Sequence, residues 1–377
     1  MSPSGACEAC LRRGWLVGHL APRLAALLGE SPTPGKRRGR LLALPDAELI
    51  EATCCAERRA EAHSLLETFD PARAREALLT VEVEAVCRHA LTYPSGLSDL
   101  DDAPAVLFVA GGAGRLKALT GAPAVTVVGT RRPSPYGLEV ARVLGRGLSA
   151  AGVTVVSGLA LGIDASAHRG ALEGGGAVVA VLARGPDAAY PRSHQRLYER
   201  VRTEGCVVSE FPPGVPVHRW AFPARNRIMA ALGSVTVVVE ADDPSGSLIT
   251  CRFAEDLGRT VAAVPGRITT GAARGTNRLL RDGARVVLGP EDLLEELFGP
   301  GAAPVAPVPD PPVLESPLAE VLAAIEGSAG VSAIAARTGL APGAVRAALG
   351  RLEVMGLVRR DGLGFERTAA PAYAARS

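Results

Sequence analysis

The chain has 377 residues, which at ~150 residues per domain implies two or three domains. Hydrophobic residues make up 47% and charged residues 21%, so a sizeable core is available and wholesale disorder is excluded. Lys+Arg number 41 against 39 for Asp+Glu, and the net charge of +2 excludes a histone-like polycation while leaving room for a local anion-binding patch.

Only Lys36 and Lys117 are lysines, so the positive charge is almost entirely guanidinium. That suits bidentate phosphate recognition, although GC-rich coding alone would also favour an Ala/Gly/Arg-rich chain. The first apolar stretch is broken by His19, Pro22 and Arg23, unlike a signal peptide. No uncharged apolar run approaches the ~18 residues of a membrane span. A soluble, cytoplasmic protein with no membrane partner is expected, its seven cysteines reduced.

Residues 1–100 read as a helical N-terminal domain of SAM or helix-hairpin type, short of strand signals. Pro32 to Arg40 forms a basic, turn-rich loop, which is ordinarily a solvated connector. Cys7 and Cys10 make a C-x-x-C without a second pair at zinc-ribbon spacing. Further ligands would have to come from Cys54, Cys55, His63, Cys87 or His89, all in helix-like sequence. Small buried thiols are therefore expected, and no metal site.

From about residue 101 to 298, β-branched runs alternate with helix-length segments. Strands are expected at Val106–Val109, Ala124–Val128, Val153–Ser157, Ala177–Leu182, Cys206–Ser209, Val235–Glu240, Thr260–Val264 and Arg285–Leu288. Most are apolar throughout, as strands buried on both faces are. Helices are expected between them, for example at Tyr136–Ala150, Asp164–Glu173 and Ser193–Thr203. The pattern predicts an α/β fold: an extended Rossmann-like, doubly wound parallel sheet.

A proline-rich linker follows over 299–315, roughly 60 Å long if fully extended. Residues 316–368 then predict a C-terminal winged-helix domain. Its helices are expected at Leu318–Ile325, Val331–Thr338 and Pro342–Met355, with a hairpin over Leu357–Glu366. Seven arginines against five acids over residues 316–377 make partner docking as reasonable for this module as DNA readout.

In parallel α/β sheets, ligands bind beyond the carboxyl ends of the strands. Those ends lead here into Gly129, Thr130, Arg131 and Arg132; into Gly158, Asp164 and His168; and into Arg184, Tyr190, Arg192 and His194. Further along come His218, Arg219, Trp220, Phe222, Arg225, Asn226 and Arg227, then Ser245, Gly246 and Ser247 at a helix start. Amide groups and guanidiniums gathered on one rim predict an anion site. There is no P-loop and no G-x-G-x-x-G, so no nucleotide cofactor is expected. No nucleophile-base set is signalled, and no catalytic residue is assigned. Aromatics are only 4% of the chain, yet Trp220 and Phe222 stand beside arginines. Such interleaving suits single-stranded nucleic acid, although either ring could equally be core.

The ordered strings Val128–Arg131, Ser157–Asp164 with Ala167 and His168, Tyr190–Arg192, Ser209–Gly214, Phe222–Ile228, Ser245–Thr250, Val264–Gly266 and Gly275–Asn277 resemble the DNA-processing protein A (DprA/Smf) family. The resemblance implies an extended Rossmann domain that binds single-stranded DNA and self-associates as a homodimer. It further implies a protein that is not an enzyme, protecting incoming DNA and loading RecA onto it in natural transformation. Arg131 corresponds to the basic residue of the family's Gly-Ser/Thr-Arg turn and Arg192 to the one after Tyr-Pro, both implicated in DNA contact. Arg225 and Arg227 match an Arg-Asn-Arg block whose role follows from charge and position alone. Leu161, Cys251 and Gly233 depart from the family pattern, and Leu161 removes one possible phosphate contact.

Two alternatives remain at this point. A phosphoribohydrolase-like nucleotide hydrolase is one, but Pro244–Thr250 lacks that class's glycine-rich turn and following glutamate. A winged-helix transcription regulator is the other, and a preference for duplex DNA would favour it.

Overall fold

The structure, a computed structural model, describes residues 5–28, 41–301, 314–325, 329–354, 357–361 and 364–367. The basic loop over 32–40 and most of the 299–315 linker lie outside them. Two units separate, residues 1–305 and 306–377.

The first unit is built on a nine-stranded sheet. Its strands are β1 (Val83–Cys87), β2 (Val106–Ala110), β3 (Ala124–Val128), β4 (Thr154–Ser157), β5 (Val178–Val181), β6 (Cys206–Ser209), β7 (Val235–Val238), β8 (Thr260–Ala263) and β9 (Arg285–Val286). Their spatial order is β1-β2-β6-β5-β4-β3-β7-β8-β9. The six strands β3 to β8 pair in parallel, and every residue of β3, β4, β5, β6 and β7 is buried. Valine and alanine runs of this kind place β-branched side chains on both faces of a covered sheet.

Helices α1 (Glu8–Leu28), α2 (Asp46–Thr53), α3 (Ala56–Glu67) and α4 (Pro71–Thr80) precede the sheet. Within it come α5 (Ala113–Gly121), α6 (Pro135–Ala150), α7 (Ile163–Glu173), α8 (Gln195–Glu204), α9 (Ala221–Leu232), α10 (Ser247–Asp256), α11 (Arg274–Arg281) and α12 (Pro290–Phe298). Local chemistry sets the starts: Asp70 and Ser134 cap α4 and α6 through side-chain oxygens, each followed by proline at the first turn.

Three expectations need correction. Residues 1–100 are not purely helical, because β1 pairs antiparallel with β2 from Val83↔Ala110 to Cys87↔Val106. Nor is the sheet parallel throughout, since β2 also runs antiparallel to β6. Finally, residue 100 does not bound a compact unit. Helix α1 lies on the sheet, with Trp15 edge-on to Phe108 at 5.4 Å, and Leu16, Leu20 and Leu24 share a core with Phe211 and Trp220. Burying α1's apolar face against the sheet is what an amphipathic segment of this length requires.

The second unit is a winged helix: α13 (Leu318–Ala323), α14 (Val331–Thr338) and α15 (Pro342–Val354), then β10 (Val358–Asp361) paired antiparallel with β11 (Gly364–Arg367). Leu318, Val321, Ile334, Val345, Leu349, Leu352 and Phe365 form its separate core. The order and type of these elements match the expectation, and the Gly362 turn lies outside the described residues.

Close approach of α1 to the sheet depends on Gly14. A Cβ there would stand 2.6 Å from Val106 Cγ1 and 2.8 Å from the Phe108 ring. These neighbours are strand residues fully enclosed in the core, so Gly14→Val is expected to lower unfolding stability by about 1–3 kcal/mol. Urea denaturation followed by circular dichroism measures it.

Candidate nucleic-acid interface

The strands run β3-β4-β5-β6 to one side of β3 and β7-β8-β9 to the other, so the direction of winding reverses between β3 and β7. The loops after two such strands diverge and leave a crevice. Here it is a cavity of about 420 Å³, lined by Gly129, Thr130 and Arg131 after β3, Asp164 after β4, Arg225 and Asn226 on α9, and Ser245, Gly246 and Ser247 after β7. A smaller cavity alongside it shares Arg131, Ala160 and Phe222 and adds Gly158, Tyr190 and Pro191.

The loop from Gly129 to Ser134 is fixed by Glu240, which follows β7. Its carbonyl accepts the Thr130 N–H at 2.7 Å. The buried carboxylate accepts the Ser134 N–H at 2.8 Å and the Ser134 hydroxyl at 2.5 Å. On the other side, Ile163 N–H donates to Thr130 O at 3.3 Å. Gly129 sits in the gap, where a Cβ would come within 2.6 Å of Ile163 Cγ1 and 2.9 Å of Glu240 O. Within the loop, Thr130 Oγ1 accepts the Arg132 N–H at 3.2 Å. The clamp leaves Arg131 and Arg132 exposed on a rigid turn.

Arg131 places its guanidinium 4.5 Å from the centroid of the Phe222 ring. Phe222 in turn lies 5.8 Å from Tyr190, and Tyr190 is 37% exposed. One cation and two rings therefore form a continuous surface bordering both cavities. Arg192 is exposed in the short 3-10 turn Arg192–His194, two residues beyond Tyr190, and lines neither cavity. Among the described residues, Arg131, Arg132 and Arg192 have no ion-pair partner.

Arg225 is different. It is buried, donates to the Val181 carbonyl, and occupies the space that Gly158 leaves by lacking a Cβ. Burial lowers its pKa to about 10 against the opposing pull of Asp164, with Arg131 adding to the fall, so it stays protonated at neutral pH. Asp164 is held up by its own burial, while Arg225 and the Ala160 and Gly158 N–H groups pull it back. Its carboxylate accepts those two N–H groups at 3.4 and 3.1 Å. Arg225 thus supplies charge to the cavity floor rather than a mobile contact on its rim.

Arg227 must be removed from the rim altogether. It is fully buried, its guanidinium 2.8 and 3.0 Å from Glu210 and its Nε 3.1 Å from Asp102. Burial alone would lower its pKa, but Glu210 and Asp102 more than reverse that and hold it raised. An arginine so enclosed cannot also meet solvent phosphate. Trp220 leaves the rim as well: it is buried, its indole N–H donates to Ala21 O at 3.0 Å, and it packs edge-on to Phe211.

Asn226 is buried and donates to Gly246 O at 3.2 Å, so it holds the Ser245–Ser247 turn. The Ser245 and Ser247 hydroxyls lie 2.9 Å apart, and Ser245 Oγ accepts the Ser247 N–H at 3.4 Å. Leu248 and Ile249 N–H groups bond back to Ser245 O and Gly246 O, so fewer amides of α10 face outward than an open helix start would offer. A Cβ on Gly246 would meet nothing, which marks the space above it as open. The nearby acid Asp242 is neutralised by Arg274 at 2.8 Å. His168 is fully buried, and burial pushes it down to about 3, so it is a neutral core residue and no general base.

The family model for DNA recombination-mediator protein A matches residues 84–298, and that for the DprA winged helix domain matches residues 305–362. The chain belongs to the DNA recombination-mediator protein A family. It is 42% identical over 266 residues to the putative DNA processing protein DprA of Mycobacterium tuberculosis (strain CDC 1551 / Oshkosh), covering 67% of this chain and 68% of that one. It is 37% identical over 293 residues to protein Smf of Escherichia coli K12, covering 76% and 77%. The X-ray structure of DprA from Streptococcus pneumoniae superposes with a TM-score of 0.60 at 31% identity, covering 76% of this chain and 96% of that one. A structure concerned with the single-stranded DNA binding mode of DNA processing protein A from Helicobacter pylori gives 0.52 at 28%, covering 57% and 95%.

The match to the DNA recombination-mediator family starts at residue 84, inside β1, in keeping with β1 as part of the sheet. Sequence reasoning placed Tyr190 on the rim without a role, read Phe222 as either a stacking ring or core, and assigned no site role to Glu240. The only signal available for Glu240 was an acid at a strand end beside a switch point.

The two kinds of arginine are expected to separate on stability. Arg227→Ala leaves Glu210 and Asp102 without their cation and is expected to cost about 3–5 kcal/mol. Arg131→Ala removes one exposed side chain and is expected to cost less than about 1 kcal/mol. Chemical denaturation of the two variants measures the difference.

Proposed function

We infer that the crevice at the β3/β7 switch point holds single-stranded DNA. The observation that carries this is the exposed Arg131, without an ion-pair partner among the described residues, stacked on Phe222 beside Tyr190. Single strands need a cation for the phosphate spine and a ring face for an unpaired base, and this surface offers both. Arg132 and Arg192 extend the exposed positive charge, while Arg225 adds a fixed charge below. Gly129, Thr130, Gly158, Asn226, Ser245, Gly246 and Ser247 shape the walls. The Helicobacter pylori relative's single-stranded DNA binding mode supports the same reading.

On this reading the protein protects incoming DNA, presents it to RecA for loading during transformation or recombination, and works as a homodimer without bond chemistry. Membership in a DNA recombination-mediator family supports that role. No helix among the described residues is long and apolar enough to cross a membrane.

Arg131→Ala with Arg192→Ala is expected to abolish binding of a poly-dT oligomer in fluorescence anisotropy while circular dichroism stays unchanged; full binding by that double variant would contradict the reading. Phe222→Ala is expected to cost about 1–3 kcal/mol of binding, the value of one stacked base. For the intact protein, a site engaging about four phosphates predicts a log–log salt slope near −3, with single strands preferred over duplex. A stronger preference for duplex would favour a winged-helix regulator instead.

The RecA step is checked by RecA filament growth on single strands. Added protein is expected to shorten the lag, and the double variant to leave it unchanged.

A further inference from the structure

At the edge of the sheet, five strand positions from β3 and so on the order of 24 Å away, four potential metal ligands converge. Cys7 and Cys10 stand one turn apart at the start of α1, Cys87 ends β1, and His89 lies in the turn that follows. Cys7 Sγ and Cys10 Sγ are each 3.5 Å from His89 Nδ1, and Cys87 Sγ is 3.9 Å from it. All four ligand atoms lie within 4.8 Å of one another.

The sulfur-to-imidazole separations are close to those of a coordination shell. With Zn–S near 2.3 Å and Zn–N near 2.0–2.1 Å, a tetrahedral ion sets its ligand atoms about 3.5–3.8 Å apart. The backbone is arranged for thiolates as well. Cys7 N–H points at Cys87 Sγ at 3.4 Å, and the positive end of α1 faces the cluster. Ala6 N–H donates to Ala85 O at 2.9 Å, which fixes the chain just before Cys7 against β1. Among the described residues no carboxylate joins the group, so its chemistry is three sulfurs and one imidazole.

We propose that Cys7, Cys10, Cys87 and His89 form a structural zinc site that ties the start of α1 to the end of β1. The expectation of no metal rested on C-x-x-C lacking partners at ribbon spacing; β1 supplies them from some 80 residues away. Thiolate-rich tetrahedral sites select zinc over harder divalent ions. Four protein ligands leave no open position, so the metal staples the fold and performs no reaction. Cys54 and Cys55 take no part: Cys54 is buried against Arg23, and Cys55 is exposed.

The test uses the full chain purified from zinc-supplemented cells and dialysed against EDTA. Elemental analysis is expected to find about one zinc per chain. Replacement by cobalt is expected to give the intense visible bands of a tetrahedral thiolate site. Cys10→Ser and His89→Ala are expected to lose the metal, and Cys55→Ser to keep it. Should the first two fail to fold, alkylation of wild-type Cys7 decides: it is expected to be slow with metal and fast once a strong chelator removes it. Wild-type protein without stoichiometric zinc, a weak octahedral cobalt spectrum, full metal retention by His89→Ala, or a Cys7–Cys10 disulfide would each overturn the site.

Discussion

Glu240 lies buried where the winding of the sheet reverses, and among the described residues its carboxylate takes its hydrogen bonds from Ser134 in the loop after β3. A buried carboxylate stripped of donors costs several kcal/mol, so the loop and the acid hold each other in place. From that constraint follow the tight packing of Gly129 against Ile163, the capped start of α6 at Ser134, and the outward stance of Arg131. Without it, the guanidinium over Phe222 would be one conformation among many, and the entropy of ordering it would fall on ligand binding.

The arginines divide by depth. Arg131, Arg132 and Arg192 stand in solvent without acidic partners among the described residues, Arg225 lies beneath the cavity beside Asp164, and Arg227 is consumed by Glu210 and Asp102. With a net charge of only +2, any positive surface must come from where individual guanidiniums stand: Arg227, Arg274 and Arg278 are taken up by neighbouring acids, while Arg131 faces the crevice. Exposed cations give reach and salt sensitivity, and the buried one gives a fixed field that needs no reorganisation when a ligand arrives.

Much of this was legible in the sequence. The valine-rich runs of β7 and β3 read as strands of a covered sheet, and their ends named the rim, including Arg131 and the Ser245–Ser247 turn. The winged helix was equally readable from its short helices and closing hairpin. What stayed hidden depends on contacts distant in sequence. Arg225 and Arg227 share one helix and one motif, yet only the placement of Asp102 and Glu210 decides which is enclosed. Trp220 looked like a rim aromatic until α1 covered it. Five residues of β1 among helices carry too little periodicity to be told from helix, and with β1 misread, Cys87 and His89 could not be paired with Cys7 and Cys10.

The most direct test of the central claim is photocrosslinking of a thymidine-analogue oligonucleotide to the intact protein, with the attached peptides mapped by mass spectrometry. Attachment at Tyr190 and Phe222 is predicted, suppressed by Glu240→Ala through loss of the ordered loop. Attachment confined to the winged helix, or spread evenly over the surface, would contradict a single-strand site at the switch point.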